Sequence, residues 1–223
     1  MKRQSILTET QKLFLTLLSE NKFLSSKFYL TGGTALAGYY IPYRYSEDLD
    51  FFSEKEINTA EIAVFLRTVK NKLGYHTFDL NTSYNRNMFF LDFKHYMLKT
   101  EFTYFPFPQI EKPIIRHGLS IDSIFDIAVN KLFTIYQKPR SRDFMDLYMI
   151  HKQYDYSITD LLKKAKIKFD WHIDKLQLGS QFLLSEELKD YPRLVKPLDE
   201  KTWQTYFKEE AKRLGKSIIA TEK

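Results

Sequence analysis

A glycine turn followed by a closely spaced pair of aspartates limits what this chain can fold into. The short β-prone run that ends at Thr31 stops at Gly32-Gly33, which is a strong break. The pair Asp48 and Asp50 then opens a second run of bulky apolar residues. Either motif alone is usually only a turn or a helix cap. Their combination predicts a strand, a tight turn, a short helix and a second strand around one site.

Phosphoryl-type chemistry is what this combination favours. Glycines at the Gly32-Gly33 turn let backbone N–H groups come close to a phosphate, and the Thr34 hydroxyl can add a donor. Asp48 and Asp50 are separated by one residue, so on a strand their carboxylates point to the same face. Carboxylate oxygens are the ligands that Mg²⁺ prefers. The pattern therefore predicts Mg²⁺ as cofactor, with one ion at the acceptor hydroxyl and one at the phosphates.

A site for two metal ions usually has a third carboxylate on a neighbouring strand. Glu101 is our candidate, since it lies in a predicted strand and shares a face with Lys99 and Thr103. Asp92, on the preceding predicted strand, is the alternative. We expect one of these two side chains to complete the predicted metal site.

The composition narrows the possible functions. The chain has no cysteine, which excludes disulfides and thiolate zinc sites. Its five histidines show no metal-ligand spacing, and neither a P-loop nor a Gly-x-Ser-x-Gly motif occurs. The net charge of +6 favours a polyanion such as RNA as a partner. No signal-peptide core and no apolar run of membrane-spanning length occurs, so we expect a cytoplasmic protein with no membrane partner.

The hydrophobic pattern changes along the chain, from mixed helices and strands to helices alone. A boundary near residue 118 is therefore expected, and the proline-rich segment 106–113 before it is expected to be a loop. The predicted strands cover residues 28–31, 49–52, 88–94 and 97–105. The predicted helices cover residues 7–23, 34–40, 56–73, 120–138, 141–153, 157–168 and 199–215.

The motif Gly-Gly-Thr-Ala-Leu, followed by Arg-x-Ser-x-Asp-Leu-Asp-Phe, resembles the AbiEii/AbiGii-type nucleotidyltransferases. These are toxins of bacterial abortive-infection, or type IV toxin–antitoxin, systems, and belong to the DNA polymerase β-like superfamily. The resemblance implies an α+β fold. A polymerase β-like nucleotidyltransferase core with a mixed sheet would occupy residues 1–118. A helical C-terminal domain over residues 119–223 would close the cleft.

The resemblance also assigns residues of the first half to roles. It implies that Gly33 and Thr34 form the phosphate-binding motif and that Asp48 and Asp50 hold the metal ions. Arg44 and Ser46 match positions that the family fills with the same residues, and these two become candidates for nucleotide binding. Of the two, Arg44 could contact phosphate.

In the helical half, the family commonly shows a lysine on one helix and an Arg-Asp-x-x-Asp run on the next. Here these are Lys131 and the run that begins at Arg142 and contains Asp143 and Asp146. The resemblance implies that Lys131 contacts the triphosphate, with Arg142 as the rival cation. Asp143 and Asp146 share a helix face and either orient Lys131, contact the nucleotide or brace two helices. Lys138 stands where many relatives have arginine.

The function implied by the resemblance is transfer of a nucleoside monophosphate from an NTP to RNA, with the 3′ end of a tRNA as acceptor. Growth inhibition would be the outcome, and a cognate antitoxin would be a partner without need for direct contact. Two alternatives remain open. One is a nucleotidyltransferase that modifies a small molecule, as antibiotic-modifying enzymes of the superfamily do. The other is a nucleotide-binding module whose catalytic site has decayed.

Overall fold

The chain folds into two compact units, of which the first ends at Ser123 and the second begins at Ile124. The structure is a computed structural model that describes the backbone of residues 6–221 and the side chains of residues 6–217. Within this part of the chain, no helix is both long and apolar enough to span a membrane. The boundary expected near residue 118 lies slightly too early, because Leu119–Ile121 is a strand of the first unit.

The first unit contains a seven-stranded sheet with helices. Its helices are α1 (Glu9–Glu20), α2 (Lys22–Ser25), α3 (Gly32–Ala35), a π-helical turn (Leu36–Tyr40) and α4 (Thr59–Leu73). Its strands are β1 (Tyr29–Thr31), β2 (Leu49–Ser53), β3 (Thr77–Ser83), β4 (Arg86–Asp92), β5 (Met97–Tyr104), β6 (Ile114–Arg116) and β7 (Leu119–Ile121).

The sheet is mixed, with the strand order β3-β4-β5-β2-β1-β7-β6. The pairs β2–β5 and β1–β7 are parallel, and the other four pairs are antiparallel. Strand β2 lies at the centre, between β1 and β5. The predicted α+β fold class with a mixed sheet is confirmed, and the strand that carries Asp50 is the central one.

The alternation of side chains along β2 decides which face of the sheet is core. Leu49 and Phe51 are buried, and the ring of Phe51 stacks on Phe14 of α1 and on Phe102 of β5. Asp50 is half-buried and belongs to the opposite face, because side chains alternate along a strand. Packing of α1 against the apolar face therefore leaves the polar face for Asp50.

The second unit is helical among its described residues. Its elements are α5 (Ile124–Gln137), α6 (Ser141–Tyr154), α7 (Ile158–Phe169), α8 (Lys175–Leu183), a 3₁₀ turn (Leu184–Glu186) and α9 (Glu200–Thr221). Four fully buried rings form its aromatic core: Phe144, Phe182, Trp203 and Phe207. A fully buried ion pair also joins α7 to α5, with Lys168 Nζ 2.7 Å from Asp126 Oδ1.

Five elements have no counterpart among the sequence predictions: β3, β6, β7, α8 and the 3₁₀ turn Leu184–Glu186. Strand β3 is the outermost strand, and six of its seven residues are exposed, so it has no apolar alternation to detect. Strands β6 and β7 have three residues each, which is too short for a periodic signal. The helix predicted from residue 120 begins at Ile124, because the residues before it pair with β1. Residues 106–113 form a loop, as predicted.

Candidate active site

The turn after β1 passes directly against the carboxylate of Asp50. Gly32 has a φ of +68°, and a Cβ atom at this position would lie 2.9 Å from Asp50 Oδ2. Thr31, the preceding residue, is the register partner of Asp50 across β1 and β2. Glycine is therefore required twice here, by the left-handed backbone and by the close approach of the carboxylate.

The next glycine provides space for a buried guanidinium. A Cβ atom at Gly33 would lie 2.2 Å from Arg44 Nη2 and 3.0 Å from Ser46 Oγ. Arg44 is only 3% exposed, and its Nη1 donates to the carbonyl oxygen of Tyr45 at 2.9 Å. The structure thus places Arg44 and Ser46 under the glycine turn, where they support it from inside. Contact of Arg44 with a phosphate stays a prediction.

Thr34 ties the turn to the start of the acidic strand. Its buried hydroxyl donates to the carbonyl oxygen of Asp48 and lies 2.8 Å from Ser46 Oγ. The residues of the sequence motif therefore hold one another in place before any ligand is considered. Contact of Thr34 with a phosphate stays a prediction.

Lys99 joins two of the three predicted acidic residues. Its Nζ lies 3.2 Å from Asp48 Oδ2 and 3.2 Å from Glu101 Oε2. Asp50 is the register partner of Glu101 on the neighbouring strand. Burial opposes the charge of Lys99, but Asp48, Glu101 and Asp50 outweigh it and raise the pKa of its ammonium. The three carboxylates therefore act on one cation.

Glu101 is held by a second cation as well. Arg86 Nε and Nη2 donate to the two carboxylate oxygens of Glu101 at 2.6 and 2.7 Å, a bidentate fork. The hydroxyl of Thr103 donates to the same carboxylate at 3.0 Å. Burial alone would raise the pKa of Glu101, but Arg86 and Lys99 lower it below its ordinary value. Glu101 is thus a charged group kept in place on the sheet.

The carboxylates of Asp48, Asp50 and Glu101 are suitable ligands for a hard divalent cation, but they are not arranged around a common metal position. Among residues 6–217, no three His, Asp or Glu side chains are close enough together to hold a metal ion. The carboxylates of Asp48 and Glu101 instead converge on an ammonium group. Carboxylate oxygens of this kind are the ligands that Mg²⁺ prefers. Binding of Mg²⁺ between Asp48 and Glu101 would require Lys99 to move.

Strand register favours Glu101 over Asp92 as the third carboxylate. Glu101 pairs with Asp50, whereas Asp92 lies at the far end of the β4–β5 ladder, opposite Met97. One oxygen of Asp92 accepts a hydrogen bond from the backbone N–H of Lys94 in the following turn. The sheet therefore brings Glu101 to the aspartate pair and leaves Asp92 at a distance along the strand.

The sequence alone did not indicate the contacts of three residues in this region. Arg86 follows a turn and carries no motif, and its pairing with Glu101 depends on the register of β4 and β5. Lys99 could be placed on the correct face but not between two carboxylates. Asp122 is fully buried after β7, where it accepts hydrogen bonds from the Thr31 hydroxyl at 2.7 Å and from Gln109 Nε2 at 2.8 Å.

In the second unit, the structure brings Lys131 together with both aspartates of the following helix. Lys131 Nζ lies 2.7 Å from Asp143 Oδ1 and 2.7 Å from Asp146 Oδ2. Both carboxylates are fully buried, and Lys131 is 8% exposed. The observed contact is a brace between α5 and α6. Contact of Lys131 or Arg142 with the triphosphate stays a prediction.

A guanidinium also takes part in this brace. Arg140 Nε donates to Asp143 Oδ2 at 2.9 Å, while Lys138, the position that many relatives fill with arginine, is exposed. Burial alone would raise the pKa of Asp143, but Lys131 and Arg140 outweigh this effect and lower it. Asp143 is therefore ionised in the folded chain and stabilises it through two cations.

Comparison with known proteins identifies a family over most of the chain. The family described as "Nucleotidyl transferase AbiEii toxin, Type IV TA system" matches residues 16–218. An uncharacterized protein of Aquifex aeolicus (strain VF5) is 31% identical over 150 residues, which cover 66% of this chain and 68% of that protein.

Among solved structures, JHP933 from Helicobacter pylori is similar in fold. The two structures superpose with a TM-score of 0.61 at 24% identity, over 97% of this chain and 96% of JHP933. This likeness supports the fold described above, since it extends through both units.

Substitution of Gly33 tests the packing of the turn on Arg44. We expect Gly33→Ala to lower the free energy of unfolding by about 1–3 kcal/mol, because the new methyl group would collide with the buried guanidinium. The matched control is Gly215→Ala in α9, where nothing lies within 4 Å and alanine should stabilise the helix by about 1 kcal/mol. Urea unfolding measures both, and equal stability of the two variants would contradict the packing.

Substitution of Asp143 tests the brace in the second unit. The pKa of Asp143 is lowered on folding. Its ionised carboxylate therefore contributes fully to stability above the pKa of the unfolded state, and this contribution is lost as the pH falls through the pKa of the folded state. We expect Asp143→Asn to lower the free energy of unfolding by about 3 kcal/mol near neutral pH, because Lys131 then has an ion pair with Asp146 alone.

The deficit of Asp143→Asn should shrink in acid, where the original chain also loses this contribution. Asp170→Asn is the control, because Asp170 is exposed and its left-handed backbone suits asparagine. Urea unfolding across acidic and neutral pH gives the comparison. A deficit that stays constant down to strongly acidic pH would show that the charge of Asp143 is not what stabilises the fold.

Proposed function

This chain belongs to the AbiEii family of nucleotidyl transferase toxins, and on this premise we propose that it transfers a nucleoside monophosphate from an NTP to RNA. The proposed acceptor is the 3′ end of a tRNA. The observation that carries the proposal is the contact of the glycine turn with Asp50, beside Asp48 and Glu101 on one face of the sheet. The turn proposed to bind phosphate and the proposed metal ligands therefore lie next to each other.

We assign the carboxylates of Asp48, Asp50 and Glu101 to Mg²⁺, which when bound neutralises phosphate charge and activates an acceptor hydroxyl. The chain's own contribution is to hold these carboxylates in register. Asp50 and Glu101 are fixed by the parallel pairing of β2 with β5, and Asp48 is fixed through its carbonyl oxygen by Thr34. Preorganised groups of this kind stabilise a transition state without reorganisation during the reaction.

The glycine turn has a separate part in the proposal. In the reaction, an acceptor hydroxyl bonds to the α-phosphorus while the bond to the leaving pyrophosphate breaks. The turn at Gly32 and Gly33 carries no side chains, so a phosphate can approach its backbone N–H groups closely. Arg44 supports the turn from below and adds positive charge near it. A larger residue at either glycine would displace Asp50 or Arg44.

Two observations favour an active enzyme on RNA over the alternatives. The net charge of +6 suits a polyanionic acceptor better than a small molecule. All three carboxylates are present, and Asp48 and Glu101 form ion pairs with cations, whereas loss of carboxylates is expected in a decayed site. A small-molecule acceptor remains the second candidate, because the same carboxylate chemistry would serve it.

The aspartate pair is tested by amide substitution. We expect Asp48→Asn and Asp50→Asn each to reduce nucleotide incorporation by at least about 100-fold, because several kcal/mol of transition-state stabilisation are lost with a metal ligand. Both residues are only half-buried, so the fold should persist, which a melting curve checks. Asp79→Asn on the exposed strand β3 is the matched control and should remain active. Near-normal incorporation in either site variant would refute the metal role.

The acceptor is tested with the four NTPs, each labelled at the α-phosphate, with and without total tRNA. The proposal expects label from at least one NTP at RNA 3′ ends, and none with Asp50→Asn. Label that enters only small molecules from a cell extract would support the second candidate function. Absence of label from every NTP and every acceptor, while NTP still binds, would support the decayed module.

A further inference from the structure

Lys99 occupies the position at which two of the proposed metal ligands converge. Its Nζ is at the same distance, 3.2 Å, from Asp48 Oδ2 and from Glu101 Oε2. The side chain is 23% exposed, so solvent cations can reach this point. A divalent cation bound to both carboxylates would have to take the place of this ammonium or lie directly beside it.

Of the two cations at Glu101, Lys99 is the one held less firmly. Arg86 makes two parallel contacts of 2.6 and 2.7 Å with Glu101, in a geometry that a planar guanidinium favours. The ammonium of Lys99 makes single, longer contacts at the end of a flexible four-carbon stem. Entry of another cation should therefore displace Lys99 and leave the Arg86–Glu101 fork in place.

Electrostatic repulsion disfavours the presence of both a divalent metal ion and the Lys99 ammonium between Asp48 and Glu101. A divalent ion and an ammonium group at contact distance repel each other, and the partial burial of Lys99 and Asp48 strengthens this repulsion. The divalent ion gains more from the same carboxylates than a single positive charge does. Exchange of one cation for the other avoids this repulsion.

We propose that Lys99 is a resident cation that exchanges with the divalent metal and then binds the triphosphate of the NTP. The proposal rests on the function proposed above. In the metal-free chain, Lys99 forms ion pairs with Asp48 and Glu101. When the metal is bound, the released ammonium stays beside the site as a cation for the substrate's phosphates.

The position of β5 limits where the released side chain can go. The strand is paired on both sides, with β4 and with β2, and Lys99 itself is opposite Phe90 of β4. Its backbone therefore stays in place, and only the side chain rotates. Because Lys99 and Glu101 point to the same face, the ammonium remains on the side of the sheet where Asp50 meets the glycine turn.

The proposal predicts opposite changes in the affinity for a divalent metal ion and in the affinity for NTP when Lys99 loses its charge. Lys99→Met keeps the length of the side chain and removes its charge. Without nucleotide, this variant should bind Mn²⁺ at least about tenfold more tightly, because the competing cation is gone. With saturating Mg²⁺, it should bind a non-hydrolysable NTP at least about tenfold more weakly, because a phosphate contact is lost. Isothermal titration measures both.

Two control variants separate the exchange from simpler effects. Lys55→Met makes the same change in net charge at an exposed position and should alter neither affinity. Lys99→Arg keeps a cation and should not tighten Mn²⁺ binding. Unchanged or weaker Mn²⁺ binding by Lys99→Met would overturn the exchange, since the lysine would then only hold the carboxylates in place. Unchanged NTP affinity would overturn the triphosphate contact.

A measurement on the unmodified chain covers the case in which Lys99→Met does not fold. Amine-reactive labelling followed by mass spectrometry reports the reactivity of each lysine. Added Mn²⁺ should raise labelling of Lys99 several-fold and leave Lys55 unchanged. Constant or reduced labelling of Lys99 while Mn²⁺ binds would overturn the exchange. Absence of any Mn²⁺ binding by the chain would overturn both the exchange and the metal role proposed for Asp48 and Asp50.

Discussion

The close approach of the glycine turn to the acidic strand is the contact on which the rest of the candidate site depends. Gly32 leaves room for the carboxylate of Asp50, and Gly33 leaves room for the guanidinium of Arg44. Thr34 then bonds to the carbonyl oxygen of Asp48. Three consecutive residues thus connect β1 to the loop and strand that carry the acids. A side chain at either glycine would push these segments apart, because its Cβ atom would overlap the carboxylate of Asp50 or the guanidinium of Arg44.

Both units use buried or half-buried carboxylates that are compensated by cations from other segments. In the first unit, Lys99 and Arg86 lie against the carboxylates on the sheet. In the second, Lys131 is shared by Asp143 and Asp146. The difference is exposure: Lys131, Asp143 and Asp146 are almost completely buried, whereas in the first group Glu101 is buried but Lys99 and Asp48 are partly exposed to solvent. Exposed and exchangeable charges suit ligand binding, whereas buried pairs that lose a partner mainly cost stability.

The sequence predicted the elements that have periodic or motif signals, and failed where such signals are absent. The helix that contains Val69 and the strand that contains Phe51 both alternate apolar and polar residues with the correct period. Strand β3 was not predicted, because an edge strand exposed on both faces has no alternation of apolar and polar residues. Glu101 could be proposed from its strand face, but Arg86 could not, because its partner is decided by hairpin register.

By itself, the sequence determined that Asp48 and Asp50 point to one face, that Leu49 and Phe51 point to the other, and that a side-chain-free turn precedes them. These relations hold between neighbours in the chain, so local backbone geometry is sufficient to produce them. Only the tertiary structure decided which cation meets which acid. The contact between Lys99 and Asp48 joins segments that are distant in sequence, and the order and register of strands, set by packing of the whole sheet, bring them within 3.2 Å.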